Sequence, residues 1–381
     1  MKTSFVLVFA VILSVYLLIN VYVFMRGWQA LEVASRYRWI YATVVPLLVF
    51  SFIGAQFLKR SFDSSVIDFF WLLGSLWLAA LLYLFVSVVL IDVVRIILRG
   101  FGEKPAALYA HYGMVKFSLF CFLSLGTVAL VSVGYYNATR PEVRTVDIEI
   151  NKRATGRSNL NIVVASDLHL GCINGRSALQ RWVSTINDLQ PDIVLFPGDV
   201  FDDNPATVMR KKLGDILAEI KAPLGVYFAP GNHESYGNLP RAVEYLKAHH
   251  VQVLLDEAVL VDSSFYVVGR LDRSNGIRKS LQDLLAMTSG HEKPVFSLDH
   301  QPVKLGEAAA AGINLQVSGH THRGQLWPFS LLTKHIYELD WGYLQKENTH
   351  FYVSQGAGTW GPPVRIGTRS EIVQLRVRFT P

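Results

Sequence analysis

Cysteine is nearly absent from this chain of 381 residues: Cys121 lies inside an apolar run and Cys172 in a polar stretch. Two thiols make neither a disulfide framework nor a zinc–thiolate site, and Cys172 reads as a small loop residue. Charge is sparse as well. Charged residues make up 17% of the chain against 51% hydrophobic ones. The shortage is local. Residues 1–136 hold ten Lys/Arg and five Asp/Glu, whereas residues 137–381 hold 26 and 25. Of the formal charge of +6, +5 therefore belongs to the apolar front and +1 to the remainder. A near-neutral remainder lacks the clustered basic charge of a nucleic-acid footprint, so no nucleic-acid partner is expected.

Four stretches carry no charged residue at all: Thr3–Met25, Trp39–Leu58, Phe69–Ile91 and Phe117–Thr139. Each is long enough to cross a bilayer as a helix, and Trp39, Tyr41, Trp71, Tyr135 and Tyr136 sit near their ends as an aromatic belt would. The first stretch is too long, and has too many successors, to be a cleaved signal peptide. The expected arrangement is a transmembrane region over residues 1–140, a strand and hinge over 141–160, and a second domain over 161–381. The protein is expected in a membrane, a bacterial cell membrane by its likeness below. Lys and Arg balance at seven on each side of the four spans, so the positive-inside count gives no orientation. Asp92 and Arg95, three apart on one helix, are expected to pair near the headgroups.

Beyond residue 140 the pattern changes. Val143–Ile150 alternates as a strand. Leu179, Trp182, Val183, Ile186 and Leu189 form a helical stripe ended by Pro191. Val208, Ile216, Leu217 and Ile220 suggest another helix. Five times an apolar run of strand length ends in metal-ligand residue types. Ile162–Val164 leads to Asp167 and His169, and Ile193–Phe196 to Asp199. Gly225–Ala229 leads to Asn232 and His233, Pro294–Leu298 to His300, and Ile313–Val317 to His320 and His322. In layered α/β folds, loops at strand ends converge on one cleft. Seven oxygen and nitrogen donors besides His233 exceed the needs of one zinc ion. The set suits two divalent ions of Mn, Fe, Zn or Mg, bridged by a carboxylate. Such a pair can generate a hydroxide near neutral pH and bind a phosphoryl group.

These blocks resemble a known signature. Asp167-x-His169, Gly198-Asp199-x-x-Asp202, Gly231-Asn232-His233-Glu234, the isolated His300 and Gly319-His320-x-His322 look like the calcineurin-like metallophosphoesterases. Gly319–Phe329 and Tyr352–Thr359 are similar to a YkuE-like, membrane-anchored bacterial branch. The resemblance implies a four-layer α/β/β/α sandwich, here preceded by a four-helix transmembrane bundle. It implies that Asp167, His169, Asp199 and His322 hold one ion. Asp199, Asn232, His300 and His320 would hold the other, with Asp199 bridging. His233 would stay off the ions and protonate the leaving group during in-line attack by a metal-bound hydroxide, with Asp202 or Glu234 orienting it. Arg323, where many relatives have Gly, suits either a phosphate oxygen beside the site or the solvent-exposed surface.

The expected activity is hydrolysis of a phosphate monoester, diester or pyrophosphate bond. Membrane attachment favours a phosphorylated lipid as substrate. So does the aromatic-rich segment Gln325–Lys346, which suits either bilayer docking or packing within the domain. Arg365 and Arg369, in the Gly-rich tail, suit either an anion or the surface. Two other classes compete: a metal-keeping membrane scaffold or sensor without turnover, and the regulatory domain of a small transporter. His233 beside a full ligand set favours the enzyme.

Overall fold

The computed structural model describes residues 2–58, 64–100, 111–202, 204–288 and 292–380. The chain divides into two compact units, Met1–Val133 and Gly134–Pro381.

Four long apolar helices dominate the front: Lys2–Ala30, Arg38–Leu58, Ser65–Gly100 and Tyr112–Thr139. All four are long and apolar enough to cross a membrane, and the protein is an integral membrane protein. Several polar side chains inside the first unit find partners, which matters where water is excluded. Tyr16 donates to the Val49 carbonyl at 2.8 Å, and Trp77 Nε1 donates to Asn20 Oδ1 at 2.9 Å. The third helix runs well past the charge-free stretch that Asp92 closes. Asp92 is tolerated there because it is paired, though not chiefly with Arg95. The Tyr22 hydroxyl donates to it at 2.6 Å and Arg26 bonds the same oxygen, both from the first helix. Arg95 stands 3.9 Å away. The expected pair three residues apart is thus the weaker one, because a neighbouring helix presents its donors head-on.

The second unit begins with the last turns of the fourth helix and builds two six-stranded sheets. The strands are β1 (Glu142–Asn151), β2 (Asn159–Val164), β3 (Ile193–Pro197), β4 (Val226–Ala229), β5 (Val251–Val253) and β6 (Glu257–Val261). They continue with β7 (Phe265–Gly269), β8 (Val295–Leu298), β9 (Leu315–Ser318), β10 (Gly342–Lys346), β11 (Thr349–Val353) and β12 (Glu371–Thr380). One sheet has the order β1-β12-β2-β3-β4-β5 and the other β10-β11-β9-β8-β7-β6. The runs β2 to β5 and β7-β8-β9-β11 are parallel. The central strands β3, β4, β7 and β8 are buried along their whole length, as parallel strands covered on both sides must be.

Alternation sorts the side chains into layers. Ile162, Leu195 and Tyr227 point inward and meet Val267, Phe296 and Leu315 of the other sheet. Val163, Val194 and Phe228 point outward under the helix Arg176–Asp188 with its Leu179, Trp182, Val183 and Ile186. On the far side, Tyr266, Val268 and Val295 lie under the helices Leu281–Ala286 and Leu305–Ala311. The result is the α/β/β/α sandwich. One helical reading is corrected. The span from Val208 to Leu217 is two short helices, Ala206–Arg210 and Leu213–Leu217, parted by Lys212 at a left-handed φ of 49°. Gly214 there lies against the His249 ring, which an added Cβ would meet at 2.6 Å.

Phe296 is fully buried between the sheets, with Phe265 at a ring distance of 4.9 Å and Phe379 at 6.4 Å. Replacing Phe296 by Ala is expected to cost about 3–5 kcal/mol through lost burial and a cavity. The check is the unfolding midpoint of the second unit in denaturant.

Candidate metal centre

The parallel strands of both sheets deliver their carboxyl ends to one place, and the candidate residues stand two to five positions beyond them. Asp167 and His169 follow β2, Asp199 follows β3, Asn232 and His233 follow β4, His300 follows β8, and His320 and His322 follow β9. Their backbone is unusual. Asp167, His169, Asp199, His320 and His322 all lie at φ between 44° and 72°. Non-glycine residues avoid that region, and surrounding structure must hold them in it.

Three groups of side chains meet closely enough to share a cation: Asp167, His169 and His322; Asp199, His300 and His320; and His169, Asp199 and His233. Asn232 joins the second through Oδ1, 2.8 Å from His320 Nδ1. The Nε2 atoms of His169 and His322 face each other at 3.0 Å, and His322 Nε2 lies 3.4 Å from Asp167 Oδ1. His300 donates from Nδ1 to the Pro197 carbonyl at 2.8 Å, which turns its Nε2 towards Asp199 Oδ2 at 3.1 Å. That Nε2 is buried and makes no hydrogen bond of good geometry. Imidazole nitrogens aimed at one another and at carboxylate oxygens are what a positive ion between them would organise. The donor set therefore fits divalent metal ions.

Glycines make room for this crowding. A Cβ at Gly231 would lie 2.0 Å from Asp199 Oδ1, one at Gly198 2.3 Å from His300 Nδ1, and one at Gly319 2.1 Å from Asp167 Oδ2. Main-chain amides hold the carboxylates. His320 N–H donates to Asp167 Oδ1 at 3.0 Å, and His233 N–H donates to Asp199 Oδ1 at 3.0 Å. The Ser166 hydroxyl also donates to Asp167.

Electrostatics separates the two carboxylates. Burial pushes the Asp167 carboxyl up, and Asp199 nearby adds to the rise. Burial acts on Asp199 too, but the nearby charge of His300, with His169 and His233, holds it below the usual carboxylate range. Burial pushes His320 down to about 4, and His300 reinforces this. His322 is lowered by burial and by the neighbouring His169 and Arg365. Neutral imidazole is the form that ligates metal.

His233 is set apart. Its ring is half-buried where most of the cluster is fully buried. Its Nδ1 faces the main-chain carbonyl of Asp202, which can only accept, so Nδ1 carries the proton and Nε2 is left available. The Asp202 carboxylate points instead at His169 Nδ1, 3.5 Å away. Glu234 does not orient His233. It is buried, and it accepts from the amides of Asp199, Phe201 and Gly231 at 2.8–3.1 Å. Burial and the Asp199 charge raise its carboxyl to about 7. Arg323 is stacked over the Trp341 ring at 4.0 Å.

Arg365 lies neither at an anion site nor on the surface, the two places its sequence context suits. It is wholly buried, and burial lowers its guanidinium to about 10. It donates to the carbonyls of Gln355, Gly358 and His322, and its Nη2 stands 3.2 Å from His322 Nδ1. A lone Arg in a Gly-rich tail carries no sequence signal for such a role. Arg369 is half-exposed, 3.7 Å from Glu142.

A four-layer α/β sandwich with a buried Asp/His cluster at its strand ends defines a class of metal-dependent hydrolase. The family model of the calcineurin-like phosphoesterases matches residues 160–324. An uncharacterized metallophosphoesterase of Campylobacter jejuni is 28% identical over 97% of this chain and 97% of its own length. One of Aquifex aeolicus is 31% identical over 62% of this chain and 91% of its own. The uncharacterized metallophosphoesterase YkuE of Bacillus subtilis is 27% identical over 59% of this chain and 81% of its own. The chain belongs to the calcineurin-like metallophosphoesterase family.

Replacing Gly319 by Ala is expected to weaken metal binding at least about tenfold, because the new methyl displaces Asp167. Gly306, with open space around it, supplies the control: its Ala variant should bind as the wild type does. Titration calorimetry with Mn²⁺ on the full chain reads both.

Proposed function

We propose that this protein is a membrane-anchored phosphoesterase that works with two divalent metal ions on a phosphate ester or pyrophosphate bond carried by a lipid. The observation that supports it best is the convergence of Asp167, His169, Asp199, Asn232, His300, His320 and His322, with His233 beside them and its Nε2 unused. Asp167, His169, Asp199 and His322 are assigned to one ion, and Asp199, Asn232, His300 and His320 to the second, with Asp199 shared. When bound, two such ions supply an activated water and neutralise charge on the phosphoryl oxygens.

The chain's own residues do the rest. Main-chain amides and Glu234 hold the carboxylates and their loops before substrate arrives, so little reorganisation is needed as charge develops. Asp202 fixes the His233 tautomer through its carbonyl. Protonated at Nε2, His233 would donate that proton to the leaving oxygen as a general acid. Arg365 keeps His322 and the loop Gln355–Gly358 in place without touching substrate. A lipid substrate is supported by the four spans and by the exposed apolar side chains of Trp327 and Trp360, the latter ring 6.3 Å from that of His233.

The test uses the full chain, loaded with Mn²⁺, against a chromogenic monoester, a chromogenic diester and a phosphorylated lipid in mixed micelles. Wild type should turn over at least one of them. His233→Ala should lose roughly 10²–10⁴ in rate, the range of general acid catalysis, at unchanged metal content. Asp199→Asn should lose both metal and activity. Wild-type rates in His233→Ala would remove it as the acid, and no turnover by metal-loaded wild type on any substrate would overturn the hydrolase reading.

A further inference from the structure

Beyond His322 and the short loop that follows it lies a helix, Phe329–Ile336, whose amphipathicity is inverted. The positions turned towards the domain are polar: Ser330, Thr333 and, just beyond, Tyr337 are half-buried, and Thr333 donates to Asp340 Oδ2 at 2.8 Å. The positions turned outward are apolar: Phe329, Leu331, Leu332 and Ile336 are between 46% and 61% exposed. A helix packed on a water-soluble domain shows the opposite pattern. Trp327 and Trp360 are exposed beside it and joined to it through Gln325, whose side-chain amide donates to the Trp360 carbonyl at 2.9 Å.

A second observation says what covers this face. The compact unit that holds the metal centre also contains Gly134–Thr139, the final turns of the fourth membrane-spanning helix. The loop before β12 is bound to those turns: Arg365 N–H donates to the Gly134 carbonyl at 2.9 Å, and Ser370 N–H to the Asn137 carbonyl at 3.2 Å. The same loop accepts from the other side, at the Ile366 carbonyl, a hydrogen bond of 2.9 Å from Trp327 N–H. Two short bridges of backbone thus connect the end of a spanning helix, with Tyr135 and Tyr136 exposed on it, to the start of the apolar helix. Exposed Lys334 lies in the last turn of that helix, where a cationic side chain meets anionic headgroups.

We propose that the helix Phe329–Ile336 lies in the membrane interface, with its outward face among the lipid acyl chains. The occupant of this face is the same bilayer that the fourth helix leaves. Tyr337, directly after the helix, stands 6.2 Å from the His320 ring, so docking sets the mouth of the metal centre at headgroup level. This inference rests on the membrane anchorage and not on the choice of substrate.

The test labels the full-length chain in vesicles of phosphatidylethanolamine and phosphatidylglycerol. Cys121 and Cys172 are replaced by Ala, and an environment-sensitive fluorophore is placed at Leu332→Cys or, as a control, at Ile277→Cys. Ile277 is 95% exposed and lies in the same unit. The label at 332 is expected to shift to shorter wavelength and to be quenched at least about twofold by lipids spin-labelled on the acyl chain, with the label at 277 unaffected. A label at 332 that stays aqueous overturns the proposal. So does shielding that disappears when each vesicle carries a single copy, since a second chain would then be the cover. Neither readout needs turnover, so a failed phosphatase assay leaves the result intact.

Discussion

Two carboxylates buried among imidazoles set the terms for the second unit. Asp167 and Asp199 are almost fully buried, and burying ionised groups without compensation is costly. Compensation comes from oriented amides, a hydroxyl and histidines; among the described residues no Lys or Arg forms an ion pair with these carboxylates. This leaves the carboxylate oxygens and imidazole nitrogens directed inward, towards positions that a cation can take. The left-handed backbone at five of these residues, and the three glycines pressed against their side chains, are local costs of packing so many donors into one volume.

Support for the cluster comes from residues with no ligand role. Glu234 accepts from three amides across the loops after β3 and β4, tying the Asp199 loop to the segment that carries Asn232. Arg365 does the corresponding work on the opposite side, joining His322 to the loop after β11. Both are ionisable and buried, and both direct most of their bonding to the main chain. Such groups fix loop conformation more than they add stability, since desolvation offsets much of what their hydrogen bonds contribute.

The apolar front follows a different rule. In lipid, packing and satisfied polar groups hold helices together, and the Tyr22, Arg26 and Asp92 cluster is one such group. Its closed pairing explains an ionisable residue in a spanning helix without any transport path. The fourth helix is the covalent link between the two environments, and its final turns already belong to the second unit.

Much was legible from residue order alone. The five ligand blocks were visible because each follows an apolar strand, and a strand buried on both faces leaves a run that cannot be mistaken for a polar loop. The four spans were visible because a bilayer core excludes charge over about 20 residues. What residue order could not supply was anything that depends on two distant segments meeting. Arg365 became a buried clamp only because the tail returns past His322. Asp92 found Arg26 rather than Arg95 only because two helices pack side by side. The helix Phe329–Ile336 read as aromatic-rich sequence, and its inverted face emerged only once the domain showed which side it covered. Local periodicity fixes the elements and the ligand types, whereas partner choice and exposure depend on chain segments that approach each other only in the folded state.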